Sequence, residues 1–172
     1  MTSILKVSEI QDPTNSNSAL TIDTNGQVVL TAIPYARLEV TGTPSTTIGS
    51  NSYGVVPYNS VLGSRGITHN TSTFNFQVPV TGLYNLQGGL RWNNASTYLW
   101  WRVAQADGTL VQNVITIATA SGSGFITAFG SILLPLEAST DYRFEFADGS
   151  TNSTKVVQGG QSYMCIHLIG GV

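Results

Sequence analysis

The sequence predicts an all-β chain: a jelly-roll β-sandwich preceded by an extended N-terminal arm that contains a hairpin. Turn-forming residues, with glycine the foremost at 18 positions, punctuate it at intervals of about ten residues, as in sandwiches and barrels. Between these turns apolar residues recur with a period of two, the spacing of a strand with one buried face. Helical periodicity is nearly absent.

Taken in order, Ile4 to Ile10 reads as a short strand and Gln11 to Ser18 as a polar linker. Leu20-Thr21-Ile22-Asp23 and Gln27-Val28-Val29-Leu30 flank Asn25-Gly26, which predicts a hairpin with a type I′ turn, both central residues at positive φ. A two-stranded hairpin is marginal alone. Residues 1–33 are therefore expected to form an attachment arm, with Ile4, Leu5, Val7, Ile10, Leu20, Ile22, Val28 and Leu30 as its apolar contacts, and residues 34–172 a separate head.

In the head, Phe74, Phe76 and Val78 alternate first. From Gly82 to Trp92, Tyr84, Leu86, Gly88, Leu90 and Trp92 share a core face opposite Asn85, Gln87, Gly89 and Arg91. Leu99, Trp101 and Val103 form the next core face, and Asp107-Gly108 marks a hairpin into Val111, Asn113, Ile115 and Ile117. Phe125 to Leu134 is apolar at both parities, so it reads as a strand covered on both faces, an inner or interface strand. Tyr142, Phe144 and Phe146 alternate with Arg143 and Glu145. Finally, Tyr163, Cys165, His167 and Ile169 oppose Met164, Ile166 and Leu168, again apolar on both sides. About eight such strands in two sheets favour a jelly roll over an up-and-down barrel.

Composition narrows the partners. Only 9% of the 172 residues are charged, against about 25% in ordinary soluble domains, while 41% are hydrophobic. The surface is thus neutral-polar, either buried in an assembly or rich in hydroxyls and amides. With a net charge of −2 and scattered Lys and Arg, no field gathers phosphates, and nucleic acid is not an expected partner. No apolar run approaches the roughly 18 residues that span a bilayer, and no secretion leader opens the chain, so a membrane is not expected either.

Catalysis requires convergent titratable groups, and few exist. His167 alternates with apolar residues and reads as a packing or interface histidine, while His69 reads as solvated in a polar loop. Cys165, the single cysteine, reads as a buried inert thiol. Glu137, Asp141, Glu145 and Asp148 read as a solvated edge beside Arg143, ahead of a weak calcium loop. Neither an enzyme nor a cofactor is expected. Tyr98, Trp100 and Arg102 share the face opposite the Leu99, Trp101 and Val103 core face. Subunit packing is the first reading of them, and a glycan-stacking platform the second. Tyr163, Cys165 and His167 join them as interface candidates.

Two resemblances cover nearly the whole chain. Ser3 to Asp12 together with Leu20 to Val28 resembles the N-terminal segments of tailed-phage structural proteins. From Tyr35 onward the chain resembles the trimeric jelly-roll heads of the tumour necrosis factor and complement globular-head superfamily. The matching stretches are Val55 to Asn59, Phe76, Pro79, Gly82 and Tyr84 in their family spacing, and Leu133 to Tyr142. Pro79 cannot donate to a ladder, and Gly82 is expected to take a turn conformation before the long core strand. The chain departs from the family in lacking a collagen repeat and in carrying Ile166 and His167 where a Gly-aromatic pair is common, so the family's receptor, immunoglobulin and calcium contacts are not carried over.

These resemblances imply a homotrimeric capsid decoration, or cement, protein on the outer surface of a virion, made in a bacterial cytoplasm and bound to the major capsid protein through its arm. A tail-fibre or tail-tip protein bound to a tail protein is the alternative. A carbohydrate-binding module that meets a host glycan through Tyr53, Tyr58 and Trp92 is the reading from another class.

Overall fold

Alternating apolar residues in the head close two antiparallel sheets over one core. The computed structural model describes residues 9–11, 18–22, 24–29, 33–48, 53–93, 98–118, 125–148 and 153–171, and no helix occurs among them. The chain divides into two units, Met1–Ile33 and Pro34–Val172.

The first unit is a three-stranded antiparallel sheet of β1 (Glu9–Gln11), β2 (Ser18–Ile22) and β3 (Val28–Val29), with β2 central. Its first strand overlaps the end of the predicted Ile4 to Ile10 strand; Ile4, Leu5, Val7 and Leu30 fall outside the described residues. The hairpin pairs Ile22 with Val28, but its turn is not type I′. Gly26 takes φ 77° while Asn25 stays at negative φ, and pairing ends at Ile22 and Val28, so the connection is longer than a two-residue turn.

The second unit begins with β4 (Tyr35–Glu39), β5 (Ser45–Ile48), β6 (Gly54–Val55), β7 (Ser60–Arg65), β8 (Thr68–His69) and β9 (Asn75–Gln77). The long strands β10 (Gly82–Asn93), β11 (Tyr98–Gln105), β12 (Leu110–Ala118) and β13 (Phe125–Leu136) follow. Last come β14 (Tyr142–Asp148), β15 (Ser153–Val156) and β16 (Tyr163–Gly171). One sheet runs β13-β10-β16-β4-β7; the other runs β12-β11-β14-β9-β8, with β6 also on β14, and β15 pairs with β5. Neighbours far apart in sequence make this a jelly roll.

The core lies between the sheets. Tyr84, Leu86, Leu90 and Trp92 of β10 and Met164 and Ile166 of β16 meet Trp101 and Val103 of β11 and Phe144 and Phe146 of β14. Trp92 and Phe146 sit 6.3 Å apart across the sandwich, and Phe76 stacks on Phe144 at 5.0 Å. Each such side chain withdraws apolar surface worth about 1.5–3 kcal/mol. The Asp107-Gly108 hairpin forms as expected. Gly108 at φ 92° donates its N–H to the Gln105 carbonyl, and the Asp107 carboxylate accepts from the Thr109 N–H at 2.8 Å.

Several expectations are corrected. Of the two readings of β13, inner or interface strand, the inner one is corrected: among the described residues it pairs only with β10, and Ala128 and Leu134 are buried while Phe129 and Leu133 lie open. Phe74 precedes its strand and closes a tight loop at φ 62°. Gly82 is extended, and its missing side chain admits the Gly170 carbonyl, 2.7 Å from where a Cβ would stand. Cys165 is half-buried on the face away from the core.

Candidate functional site

The outward face of the five-stranded sheet is built by register. Antiparallel partners share a face, so three rows cross the sheet. The first is Leu133, Asn85, His167, Tyr35 and Arg65; the second is Ser131, Gln87, Cys165, Arg37 and Gly63; the third is Phe129, Gly89, Tyr163, Glu39 and Ser60. The β13 end of these rows is apolar, with Phe129 61% and Leu133 54% exposed. The β4 end is polar.

Small residues bring this face together. Gly89 has no side chain, so the Phe129 ring lies directly across β10, 2.7 Å from where a Cβ would stand. Farther along, the Arg37 guanidinium lies 5.4 Å from the Tyr163 ring centre and that of Arg65 5.7 Å from Tyr35. The Ser131 hydroxyl donates to Asn85 Oδ1 at 3.0 Å. β13 is also an edge strand twelve residues long, with no second strand beside it among the described residues. Such an edge beside exposed Phe and Leu has the chemistry of a surface that another chain covers.

Of the sequence candidates, Tyr163, Cys165 and His167 lie on this face, all half-buried. Tyr98, Trp100 and Arg102 lie on β11 in the other sheet, so the two sets do not make one surface. Trp100 is half-buried and packs on the core; the side chain of Tyr98 lies outside the described residues. Arg102 is engaged within its own chain, pairing with Glu145 at 2.7 Å and lying 3.5 Å from the Tyr53 ring centre. Arg143 pairs with the other Glu145 oxygen at 2.6 Å. Glu145 is thus 2% exposed and not part of a solvated edge: two guanidiniums and the Tyr53 ring replace water around it.

The aromatic glycan platform does not form as expected. Tyr58 and Trp92 are wholly buried in the core, where burial pushes the Tyr58 phenol pKa far up, and Tyr53 is occupied by Arg102. His69 is not solvated either. It lies half-buried on β8 with Nε2 2.6 Å from the Tyr58 carbonyl, and burial holds its pKa below the usual histidine value against the pull of the Tyr58 and Asn75 backbone. Among the described residues no group of three His, Cys, Asp or Glu gathers as metal ligands would. The prominence of Phe129 and Leu133 was legible only as apolar residues at both parities, because exposure depends on which strand ends the sheet.

No family model and no curated protein matches the sequence. Solved structures do match in shape. The Eiger TNF from S. frugiperda is 12% identical at a TM-score of 0.60, covering 82% of this chain and 95% of its own. Murine APRIL at pH 5.0 is 10% identical at a TM-score of 0.57, covering 80% of this chain and 99% of its own. The two-sheet order, the core and these likenesses together make the fold a jelly roll of the tumour necrosis factor type.

Proposed function

We propose that the chain is a structural protein that works as a homotrimer, the open β13 edge and its Phe129 and Leu133 seating on a neighbouring copy. The observation that carries this reading is that exposed pair on a long unpaired edge, continuous with Tyr163, Cys165 and His167 on the same sheet face. Closed symmetry hides such a face and leaves no edge for further growth. Light scattering on the purified chain is expected to give about three chain masses, and Phe129→Glu with Leu133→Glu a folded monomer. A monomeric parent protein refutes the reading.

Within that reading, the trimer decorates the outer surface of a tailed-phage capsid. Its support is the resemblance of residues 3–12 and 20–28 to phage structural proteins, together with a first unit made of three short strands. So small a sheet gains its ordering from a partner, and strand addition to the major capsid protein provides one. Deleting residues 1–33 is expected to leave trimers intact and to abolish incorporation into particles. Particles lacking the protein then release DNA at a lower temperature. Particles that stay heat-stable but fail to adsorb to cells place the protein on the tail instead.

A further inference from the structure

The β8–β9 edge of the six-stranded sheet holds a pocket of about 560 Å³ that the trimer reading does not use. Its lining is polar throughout. The hydroxyls of Thr68 and Thr71, the amides of Asn70, Asn75 and Gln77 and the carboxylate of Asp141 surround it, with His69 beside them. Ligand pockets are ordinarily apolar with a few polar groups, so one whose described lining residues are all polar types and whose exposed lining is mostly polar selects a ligand rich in hydrogen-bonding groups.

Charge narrows the class further. Among the described residues that line it, Asp141 is the only charged one, and none is a Lys or Arg that would meet a phosphate or carboxylate. A single carboxylate is also short of the six to eight oxygen ligands, several of them charged, that calcium takes. Neutral hydroxyls remain, since they donate to a carboxylate and both donate to and accept from side-chain amides. We infer that this pocket is a binding site for a neutral saccharide.

The site is built before any ligand arrives. Gln77 Nε2 donates to Asp141 Oδ1 at 2.9 Å, fixing the carboxylate. Asn70 Oδ1 accepts from the N–H groups of Ser72 and Thr73 at 2.9 and 3.1 Å, while the Asn70 carbonyl accepts from Phe74 N–H at 2.7 Å. The Asn70 N–H in turn donates to the Asn75 carbonyl at 2.8 Å. These bonds hold Phe74 at φ 62°, a conformation a bulky residue keeps only when its surroundings impose it. His69 Nε2 lies 2.6 Å from the Tyr58 carbonyl, which sets the orientation of the ring, while burial disfavours its charged form.

Within the head, β12 and β13 pack together at one side of the sandwich, and β7 and β8, beside the pocket, meet at the other. An assembly that leaves the β8 side uncovered carries one such pocket per copy, and weak single-site affinity then becomes useful avidity.

The test is an amide NMR titration of the full chain with glucose, galactose, mannose, N-acetylglucosamine and rhamnose in turn, with glycerol and calcium chloride as comparison probes. At least one sugar is expected to shift the amides of Thr71, Asn75 and Gln77 saturably. Gln77→Ala and Asp141→Ala are each expected to weaken that binding by about tenfold, as loss of one or two hydrogen bonds does, with remote amides unchanged. Three results overturn the inference: no sugar moves these amides, glycerol moves them equally, or calcium moves them at far lower concentration. The outcome is independent of the trimer reading, which light scattering on the same sample reports.

Discussion

Arg102 and Glu145 face one another across neighbouring strands of the six-stranded sheet, their charged atoms 2.7 Å apart, with Arg143 on the second carboxylate oxygen. Desolvating a carboxylate is costly, and here two guanidiniums offset it. Glu145→Gln leaves both cations facing a neutral amide and is expected to destabilise the fold by about 3 kcal/mol in urea unfolding. Arg143→Met is expected to cost less, because Arg102 still holds the carboxylate. A neutral Glu145→Gln variant would show that water reaches this group.

Gly88 sits against the backbone of Tyr163 on the adjoining strand, where an added Cβ would stand 2.2 Å from the Tyr163 carbonyl oxygen. Backbone on a paired strand cannot yield as a side-chain tip can. Gly88→Ala is expected to cost about 3 kcal/mol, the upper range for overpacking, or to prevent folding. Gly170→Ala, with open space at its Cβ, is expected to change stability by less than about 0.5 kcal/mol. Thermal unfolding of the pair reads the difference directly.

Trp101 is wholly buried, whereas its neighbour Trp100 is half-buried on the opposite face. Truncating Trp101 to alanine is expected to cost about 3–5 kcal/mol. Trp100→Ala is expected to cost about half as much, in proportion to the apolar surface it covers. Denaturant midpoints at equal slope check both values, and equal losses would contradict the assignment of faces.

Acid sensitivity should trace to His69. Burial lowers its folded-state pKa below the value of about 6.5 that an unfolded chain shows. Between the two values the unfolded state carries the extra proton, so stability is complete above about pH 6.5 and declines as the pH falls toward the folded value. Melting temperatures recorded from pH 7.5 downward should begin to drop near that point. His69→Gln, which keeps a donor for the Tyr58 carbonyl, should flatten the decline until the carboxylates titrate.

The core was largely legible. Tyr84, Leu86, Leu90, Trp92, Phe144 and Phe146 all lie on the face their alternation predicts. Turn chemistry was legible less evenly: Asp107-Gly108 turns as expected, while Asn25-Gly26 sits in a longer loop because Asn25 keeps a negative φ. Residues whose partners lie far along the chain were misread most. Glu145 looked solvated until Arg102 covered it from 43 residues away, and even His69, only 11 residues from Tyr58, looked solvated until folding brought it to the Tyr58 carbonyl.

By itself, then, the sequence determined the all-β class and the inward-facing side chains of strands with one apolar face, such as β10 and β14, because a pleated strand alternates its faces whatever pairs with it. Tertiary structure alone decided that β13 ends its sheet, that Phe129 and Leu133 are left uncovered, and that polar groups from the β8–β9 hairpin and Asp141 line one pocket. Strand pairing joins segments distant in sequence through backbone groups that every residue carries, so the pattern of side chains does not name the neighbour.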